Sequence, residues 1–274
     1  MILESTITAQ PDNILSGTDV AIASSLILIN GLISWRMKLG LERQILWSSL
    51  RMTVQLTLLG LVLRQIFEMS HPLPVLALAA VMTVIAGVSA VHRINHRFPG
   101  IYVSAIISVW ASSWLVTAVA TLFVVRSDPW FSPQVVIPLV GMVLGNSLTG
   151  ISLGMDRFLD ELTRRRGEVE MMLSLGATRW EACQDVFAKA ARIAMIPILN
   201  TMSVAGIVSL PGMMTGQLLA GASPTQAVQY QIVIMFVIAA AIAMGVILSL
   251  GFAFMRVTNK SHQIDWTSVR PTGS

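Results

Sequence analysis

The sequence has little charge and a single cysteine, and each shortage excludes a class of protein. Only 12% of its 274 residues are charged, which is about half the share usual in a soluble domain. Cys183 alone can form neither a disulfide within the chain nor a cysteine-based metal site. The sequence also lacks a G-x-x-x-x-G-K-[ST] phosphate-binding loop, a catalytic triad and a zinc cluster. These shortages argue against an enzyme and place any ATP hydrolysis on another chain.

Apolar residues are abundant instead. They make up 54% of the chain and give a mean hydropathy of +0.73. A soluble fold of this size could not bury so much apolar surface, so lipid is the expected solvent. The hydrophobic runs predict an all-α polytopic membrane protein with about seven transmembrane helices, since each crossing needs roughly 20 residues. Their expected limits are Thr18–Trp35, Ile45–Phe67, Leu73–Val91, Ile101–Val125, Val135–Met155, Ile193–Leu210 and Ile232–Met255.

Basic residues lie on one side of the predicted membrane. All but three of the 18 lysines and arginines fall after span one, three, five or seven. The positive-inside rule then places the N-terminus outside and the C-terminus in the cytoplasm. This topology and anionic lipid headgroups explain the net charge of +4, so no nucleic-acid partner is expected. We expect one transmembrane domain over residues 1–257 and a mobile cytoplasmic tail over 258–274.

The longest soluble stretch lies between spans five and six, over residues 156–192. Its composition predicts a helix, a turn centred on Gly176, and a second helix that starts near Arg179. Thr178 and Glu181 have the spacing of a capping box at the start of that second helix. A helical hairpin of this kind can dock into a groove of another protein. It can equally lie on its own membrane surface, and the residues alone favour neither alternative.

Polar residues inside the predicted spans are candidates for a substrate path, because a charge at mid-bilayer costs about 2.5–3.5 kcal/mol. Arg51 could also snorkel to the headgroups, and the polar and small residues of span five could also serve helix packing. Pro211 and Gly212 predict a break at the end of span six, and broken helices often mark binding sites in transporters. The candidate path residues are Arg51, Gln55, Asn146, Asn200, Ser209, Pro211, Gly212 and Gln217.

Metal ligands cannot be assigned from these residues. His92 and His96 have the i,i+4 spacing with which a helix can hold a metal, but the neighbouring arginines would repel a cation there. Met213 and Met214 suit soft ions such as Cu(I) better than hard ions, and methionine in a membrane helix usually serves packing. The metal ligands therefore stay unknown.

Two parts of the sequence resemble known families. The segment EVEMMLSLGATRWEA at 168–182 resembles the coupling loop of ABC-transporter permeases, which seats in a cleft of the ATPase subunit. A resemblance to the bacterial iron-export permease family, FetB-type, covers most of the chain; plant relatives of that family are linked to aluminium tolerance. It rests mainly on IPLVGMVLGNSLTGISLGMDRFLDEL at 137–162 and IPILNTMSVAGIVSLPGMMTGQLLAGASPTQAVQYQIVIMF at 196–236.

The resemblance implies the membrane-spanning permease of an ATP-driven exporter of iron, or of a related metal or metal complex, in the bacterial inner membrane. It also implies a homodimer and a separate ATPase subunit, which would carry ATP and Mg, whereas this chain would hold no cofactor. An ion-gradient-driven secondary transporter and a membrane scaffold that recruits a soluble partner remain the alternatives. The ATPase-coupling residues would be Glu168, Glu170, Leu175, Gly176, Ala177, Thr178 and Arg179.

Overall fold

The computed structural model describes residues 17–69, 71–125, 129–259, 263–266 and 269–271. Helices dominate this part of the chain, which confirms the predicted all-α polytopic class. The helices are α1 Gly17–Arg36, α2 Glu42–Glu68, α3 Pro72–Val91, α4 Ile101–Val119, α5 Pro133–Arg164, α6 Arg166–Ser174, α7 Arg179–Val204, α8 Gly212–Leu219 and α9 Pro224–Val257. Helix α4 continues into a short π-helical segment, Ala120–Val125. Two short strands, β1 His96–Arg97 and β2 Arg270–Pro271, pair antiparallel.

Six of the described helices are long and apolar enough to cross a membrane: α1, α2, α3, α4 with its π-helical end, α5 and α9. Helix α7, which contains most of predicted span six, is not among them. Lys189 and Arg192 lie just before its apolar part and Asn200 lies within it, and these residues lower the hydropathy of the helix. The count of seven spans and the orientation of the termini stay predictions.

The helix ends follow local capping signals. Helix α7 starts at a complete capping box, in which Glu181 N–H donates to the Thr178 hydroxyl and the Glu181 carboxylate accepts from Thr178 N–H. The Ser223 hydroxyl caps α9 by accepting from Gln226 N–H, and Pro224 occupies the first position of that helix. These two signals start α9 eight residues before the apolar run that defined predicted span seven.

Two compact units make up the chain, one ending at Glu68 and one starting at Met69. In the first unit α1 and α2 pack on each other. The Ser34 hydroxyl joins them, because it donates to a Glu42 carboxylate oxygen at 3.1 Å and accepts from Leu41 N–H at 3.0 Å. Arg51 and Gln55 lie on α2 of this unit. The prediction of one domain over 1–257 stays a prediction.

In the second unit α5 is the central helix and packs on α3, α4, α7 and α9. Two glycines let α9 approach it closely. A Cβ at Gly150 would lie 2.6 Å from Ile242 Cγ2, and one at Gly154 would lie within 3.8 Å of Leu250. Gly154 lies one turn after Gly150 on α5, and the residue it approaches, Leu250, also lies after Ile242 on α9. The two helices therefore run parallel. The packing role predicted for small residues of span five is therefore seen at Gly150 and Gly154, whereas a Cβ at Gly145 would meet nothing within 4 Å.

Helix α7 runs antiparallel to α5. The Lys189 ammonium reaches Glu161 near the end of α5, while Ala194 contacts Gly154 two turns earlier on that helix. The chain therefore leaves α5 at one end of the bundle, returns along α7, and enters α9 at the other end. This course supports a crossing by α7 and the predicted total of seven.

The described residues of the C-terminal tail bond back to the bundle. Asp265 N–H donates to Val257 O, and Asn259 N–H donates to Gln263 O, both at 2.9 Å. The strand β2 pairs with β1 in the connection between α3 and α4. The predicted mobility of 258–274 stays a prediction.

Candidate functional site

Helix α6 and the turn after it form a rigid, capped projection. The turn is a Schellman motif: Ala177 N–H donates to Met172 O at 3.0 Å, and Gly176 N–H donates to Leu173 O at 3.1 Å. Gly176 has a φ of +93°, which side chains with a Cβ rarely adopt. Thr178 then begins α7 with its capping box. The predicted helix, glycine turn and helix are all present at the expected residues.

Two ion pairs fix the charged side chains of α6. Arg165 forms a bidentate pair with Glu168, and Arg166 Nε donates to Glu170 Oε1 at 2.9 Å. The hydrogen bond from Arg165 holds the pKa of Glu168 below its usual range, and the same contact raises the pKa of Arg165. Both groups are therefore charged at neutral pH. The two predicted coupling carboxylates thus already have basic partners within the loop.

The apolar residues of α6 and its turn divide into a buried face and an exposed face. Val169 is buried where α6 packs against α7. Leu175, at the tip of the turn, is 81% exposed, and Met171 is 57% exposed. Met171 and Leu175 therefore present apolar surface on the same short helix and turn that carry the Arg165–Glu168 and Arg166–Glu170 ion pairs.

Arg179 contacts the chain's own α9 in this structure. Its guanidinium donates to Asn259 O at 3.2 Å and lies 5.6 Å from the centre of the Phe254 ring. The adjacent Trp180 packs edge-on against Phe254 and Phe187. Arg179 therefore links the start of α7 to α9 and to the residue Asn259 after it, and its predicted coupling role stays a prediction.

The tail contacts α6 as well. The guanidinium of Arg166 lies 4.9 Å from the centre of the Trp266 ring, within the range of a cation–π contact. Arg166 thus joins Glu170 on its own helix to the tail. Sequence reasoning missed this contact because 100 residues separate Arg166 from Trp266 and no local pattern relates them.

A nearly buried carboxylate ties the loop to the bundle, and sequence reasoning did not single it out. Glu161 accepts from Arg157 Nη2 at 2.7 Å and from Lys189 Nζ at 3.0 Å, with 6% of its side chain exposed. One turn earlier, Asp156 accepts from Asn95 N–H at 2.7 Å. These bonds connect the end of α5 to α7 and to the connection between α3 and α4.

The candidate path residues of the second unit lie on α5, on α7, on α8 and in the non-helical segment before α8. Asn146 is exposed and donates to Met142 O of its own helix at 2.8 Å, and Asn200 is exposed on α7. The helical structure is interrupted between Val204, where α7 ends, and Gly212, where α8 begins; we call these residues the interrupted segment. Pro211 is the residue before α8. Helix α7 ends earlier than predicted span six, because Gly206 takes a φ of +81° and donates to Ser209 O at 2.9 Å.

A cavity of about 590 Å³ lies beside this interruption, between the end of α7, α8 and the start of α9. Pro211 lines it, as predicted for the path, and Gln231 of α9 lines it although sequence reasoning did not select that residue. Gln217 lies on α8. The side-chain oxygens of Gln217 and Gln231 are both buried without a hydrogen-bond partner.

No group of three or more histidine, cysteine, aspartate or glutamate side chains that could hold a metal occurs in the part of the chain that the structure describes. His92 Nδ1 lies 2.9 Å from Val88 O of its own helix. His96 lies in β1, outside the helix that would give it i,i+4 spacing with His92. The metal ligands stay unassigned.

Comparison with known proteins identifies the family. The profile of the Uncharacterised protein family (UPF0014) matches residues 17–257. A UPF0014 membrane protein of Synechocystis is 39% identical over 76% of this chain and 80% of its own. The probable iron export permease protein FetB of Escherichia coli is 29% identical over 93% of this chain and 97% of its own. Protein ALUMINUM SENSITIVE 3 of Arabidopsis thaliana is 31% identical over 89% of this chain and 88% of its own.

No solved structure matches the chain. The family match spans the helices, the α6 projection and the interrupted segment together. This chain is a membrane protein of several spans and belongs to the UPF0014 family.

Proposed function

We propose that this chain is the permease of an ATP-driven exporter and that a separate ATPase subunit docks on α6 and its turn. The exposed Leu175, held on a capped and glycine-terminated turn, is the observation that carries the proposal. A partner that binds this tip can displace α6 and its turn as one unit, because the turn satisfies its own backbone hydrogen bonds. The permease acts as a homodimer in the bacterial inner membrane, with two copies of the ATPase subunit.

The substrate of this exporter is iron or a related metal or metal complex. The name of the FetB relative, a probable iron export permease, supports this choice. Two plant relatives, Protein ALUMINUM SENSITIVE 3 and a UPF0014 membrane protein of rice, belong to the same family. ATP binding closes the ATPase subunits on each other, α6 moves with them, and α5 and α7 carry the movement to the outer end of the bundle.

Contacts connect α6 to α7 and α7 to α5, so a movement of α6 can reach the rest of the second unit. Val169 is buried against α7, and Glu161 bonds both Arg157 and Lys189. Displacement of α6 therefore acts on α5 and α7 together. Helix α7 leads to the non-helical segment between Val204 and Gly212, where irregular backbone allows a change of shape.

Substitution of the exposed tip tests the docking surface. The variant Leu175→Asp introduces a charge at a side chain that is 81% exposed, so the fold of the permease should be unaffected. If the tip is buried in the ATPase, the charge should weaken binding about thirty-fold, as expected for loss of a central apolar contact worth about 2 kcal/mol. Binding is measured with purified permease in nanodiscs and the purified ATPase subunit.

A control variant shows whether a loss of binding is specific to Leu175 or follows from any added negative charge near the α6 turn. Gln184→Glu changes an exposed residue on α7 and should leave binding unchanged. Wild-type binding and wild-type stimulated ATP hydrolysis in Leu175→Asp would overturn the docking assignment. Gly176→Trp is less informative, because any side chain there also strains a residue with a φ of +93°.

Two other functions give different results in the same system. An ion-gradient-driven secondary transporter would move substrate in liposomes that contain this chain alone and no ATP. A scaffold that only recruits a soluble partner would bind it through Leu175 and move no substrate under any condition. Export of metal that requires both subunits and ATP would exclude both alternatives.

A further inference from the structure

The cavity beside the interrupted segment has the size and lining of a site for a small molecule. Its volume of about 590 Å³ lies within the range of roughly 300–1,000 Å³ typical of ligand sites. The walls come from three separate elements: α7 with the turn after it, α8, and α9. Because α8 is connected to both neighbours by non-helical segments, the shape of this cavity depends on the break between Val204 and Gly212.

One polar side chain is among the residues that line this apolar space. Gln231 is 8% exposed and lines the cavity, and its Oε1 atom is buried without a hydrogen-bond partner. A buried acceptor left unpaired is costly, so such groups in folded proteins normally have a donor. An amide oxygen can accept from an N–H or O–H group but cannot donate to one. The missing partner is therefore a hydrogen-bond donor.

The rest of the lining selects against a bare cation. Among the described residues, no acidic or basic side chain lines the cavity, and the other lining side chains are aliphatic, aromatic or thioether groups such as Leu210, Met214 and Phe236. A cation that enters a space without a charged partner loses its hydration without compensation. A neutral molecule with an apolar body keeps its contacts in such a space and loses little hydration.

We propose that this cavity binds a neutral molecule with an apolar body and one N–H or O–H group, which donates to Gln231. The inference rests on the proposed function, in which the occupant is the exported substrate. It then names the substrate class: an uncharged organic molecule or metal chelate with an apolar surface, rather than a free metal ion. Gln231 would position the donor, and the residues after the α7 break would open or close the cavity around the apolar part.

A pair of matched fluorescent probes tests the donor requirement without any change to the protein. 1-Aminoanthracene has an apolar body and an N–H donor, whereas 1-methylanthracene has nearly the same shape and no donor. Binding is measured by fluorescence titration with the full chain in nanodiscs, after subtraction of empty nanodiscs. Wild-type protein should bind the amine at least about tenfold more tightly, since the methyl probe leaves Gln231 unpaired.

Two variants test whether Gln231 is the residue that distinguishes the two probes. Gln231→Leu removes the acceptor at similar volume and should abolish the difference between the two probes. Gln226→Leu makes the same substitution at an exposed position in the first turn of α9 and should retain it. Equal binding of both probes by the wild type, or unchanged discrimination in Gln231→Leu, would overturn the site. Neither result depends on the ATPase, so failure here leaves Leu175 docking intact, and failure of Leu175 docking leaves this result intact.

Discussion

Glu161 joins the end of α5 to α7. It is the only glutamate among the buried residues of the described chain, and two cations, Arg157 and Lys189, bond its carboxylate. A nearly buried charge is stable only while such partners satisfy it. Since Lys189 belongs to α7 and Arg157 to α5, the loss of this one carboxylate loosens the contact between the two helices.

We expect Glu161→Gln to destabilise the protein by about 2 kcal/mol, because it removes the charge that both cations share and leaves them partly unpaired. The measurement is the midpoint of thermal unfolding in detergent, which should fall by several degrees. Asp160→Asn is the matched control. Its carboxylate is 30% exposed and makes two longer contacts, at 3.4 and 3.5 Å, so its effect should be below about 1 kcal/mol. Equal midpoints for the two variants would contradict this assignment.

Local residue patterns were predictable, and distant pairs were not. Thr178 and Glu181 are three residues apart, so their capping box could be recognised from spacing alone. Glu161 and Lys189 are 28 residues apart, and nothing in either segment identifies the other as its partner. The same reason explains why Gln231 was missed: its burial follows from how α8 packs on α9, which no short pattern contains.

At the scale of the element, the turn after α6 depends on one backbone conformation. Gly176 has a φ of +93°, and an added Cβ there would meet nothing within 4 Å. Substitution by alanine therefore tests backbone strain without a steric clash. Gly167 lies within α6 itself and has no positive φ, and an added Cβ there would also meet nothing within 4 Å. Alanine at Gly167 should therefore cause no backbone strain.

We predict that Gly176→Ala and Gly167→Ala shift the local stability of α6 in opposite directions. The first should cost about 1–2 kcal/mol through the left-handed conformation, and the second should contribute about 0.5 kcal/mol by restricting the unfolded chain. Amide hydrogen exchange of residues 166–174 reports this directly. Exchange should be about tenfold faster in Gly176→Ala and slower in Gly167→Ala. A shift in the same direction for both variants would show that φ at Gly176 does not control the turn.

Element limits were predicted well where capping residues or long apolar runs define them. Helix α5 continues to Arg164, as the charged helical composition after Met155 indicated. The separate second loop helix and span six are instead one helix, Arg179–Val204, because Pro197 is accommodated within it. The end of that helix could not be read from hydropathy, since Ile207, Val208 and Leu210 are apolar but lie in the turn set by Gly206.

At the scale of the whole molecule, the directions of the helices in the second unit make a topological prediction. Helices α5 and α9 run parallel and α7 runs antiparallel to both, so the turn after α6 and the end of α8 lie at opposite ends of this bundle. Both sites offer an exposed leucine: Leu175 is 81% exposed and Leu219 is 85% exposed. They form a matched pair for measuring which side of the membrane each end faces.

The native thiol does not interfere with this measurement. Cys183 is fully buried, and burial raises its pKa to about 11. Only the thiolate reacts with a maleimide, so Cys183 should react far more slowly than an exposed thiol with a pKa near 8.5. It is nevertheless replaced, as Cys183→Ala, so that each introduced cysteine is the only thiol in the chain.

In that background a membrane-impermeant maleimide should label Leu175→Cys only in inverted membrane vesicles and Leu219→Cys only in intact spheroplasts. The reason is that seven crossings, with the basic ends of the helices in the cytoplasm, place the α6 turn inside and the end of α8 outside. Labelling of both cysteines from the same side would show that α7 does not cross, and the count of seven would be wrong. Labelling with the two sides exchanged would reverse the orientation and remove α6 from the reach of any cytoplasmic ATPase, so the proposed function would fail with it.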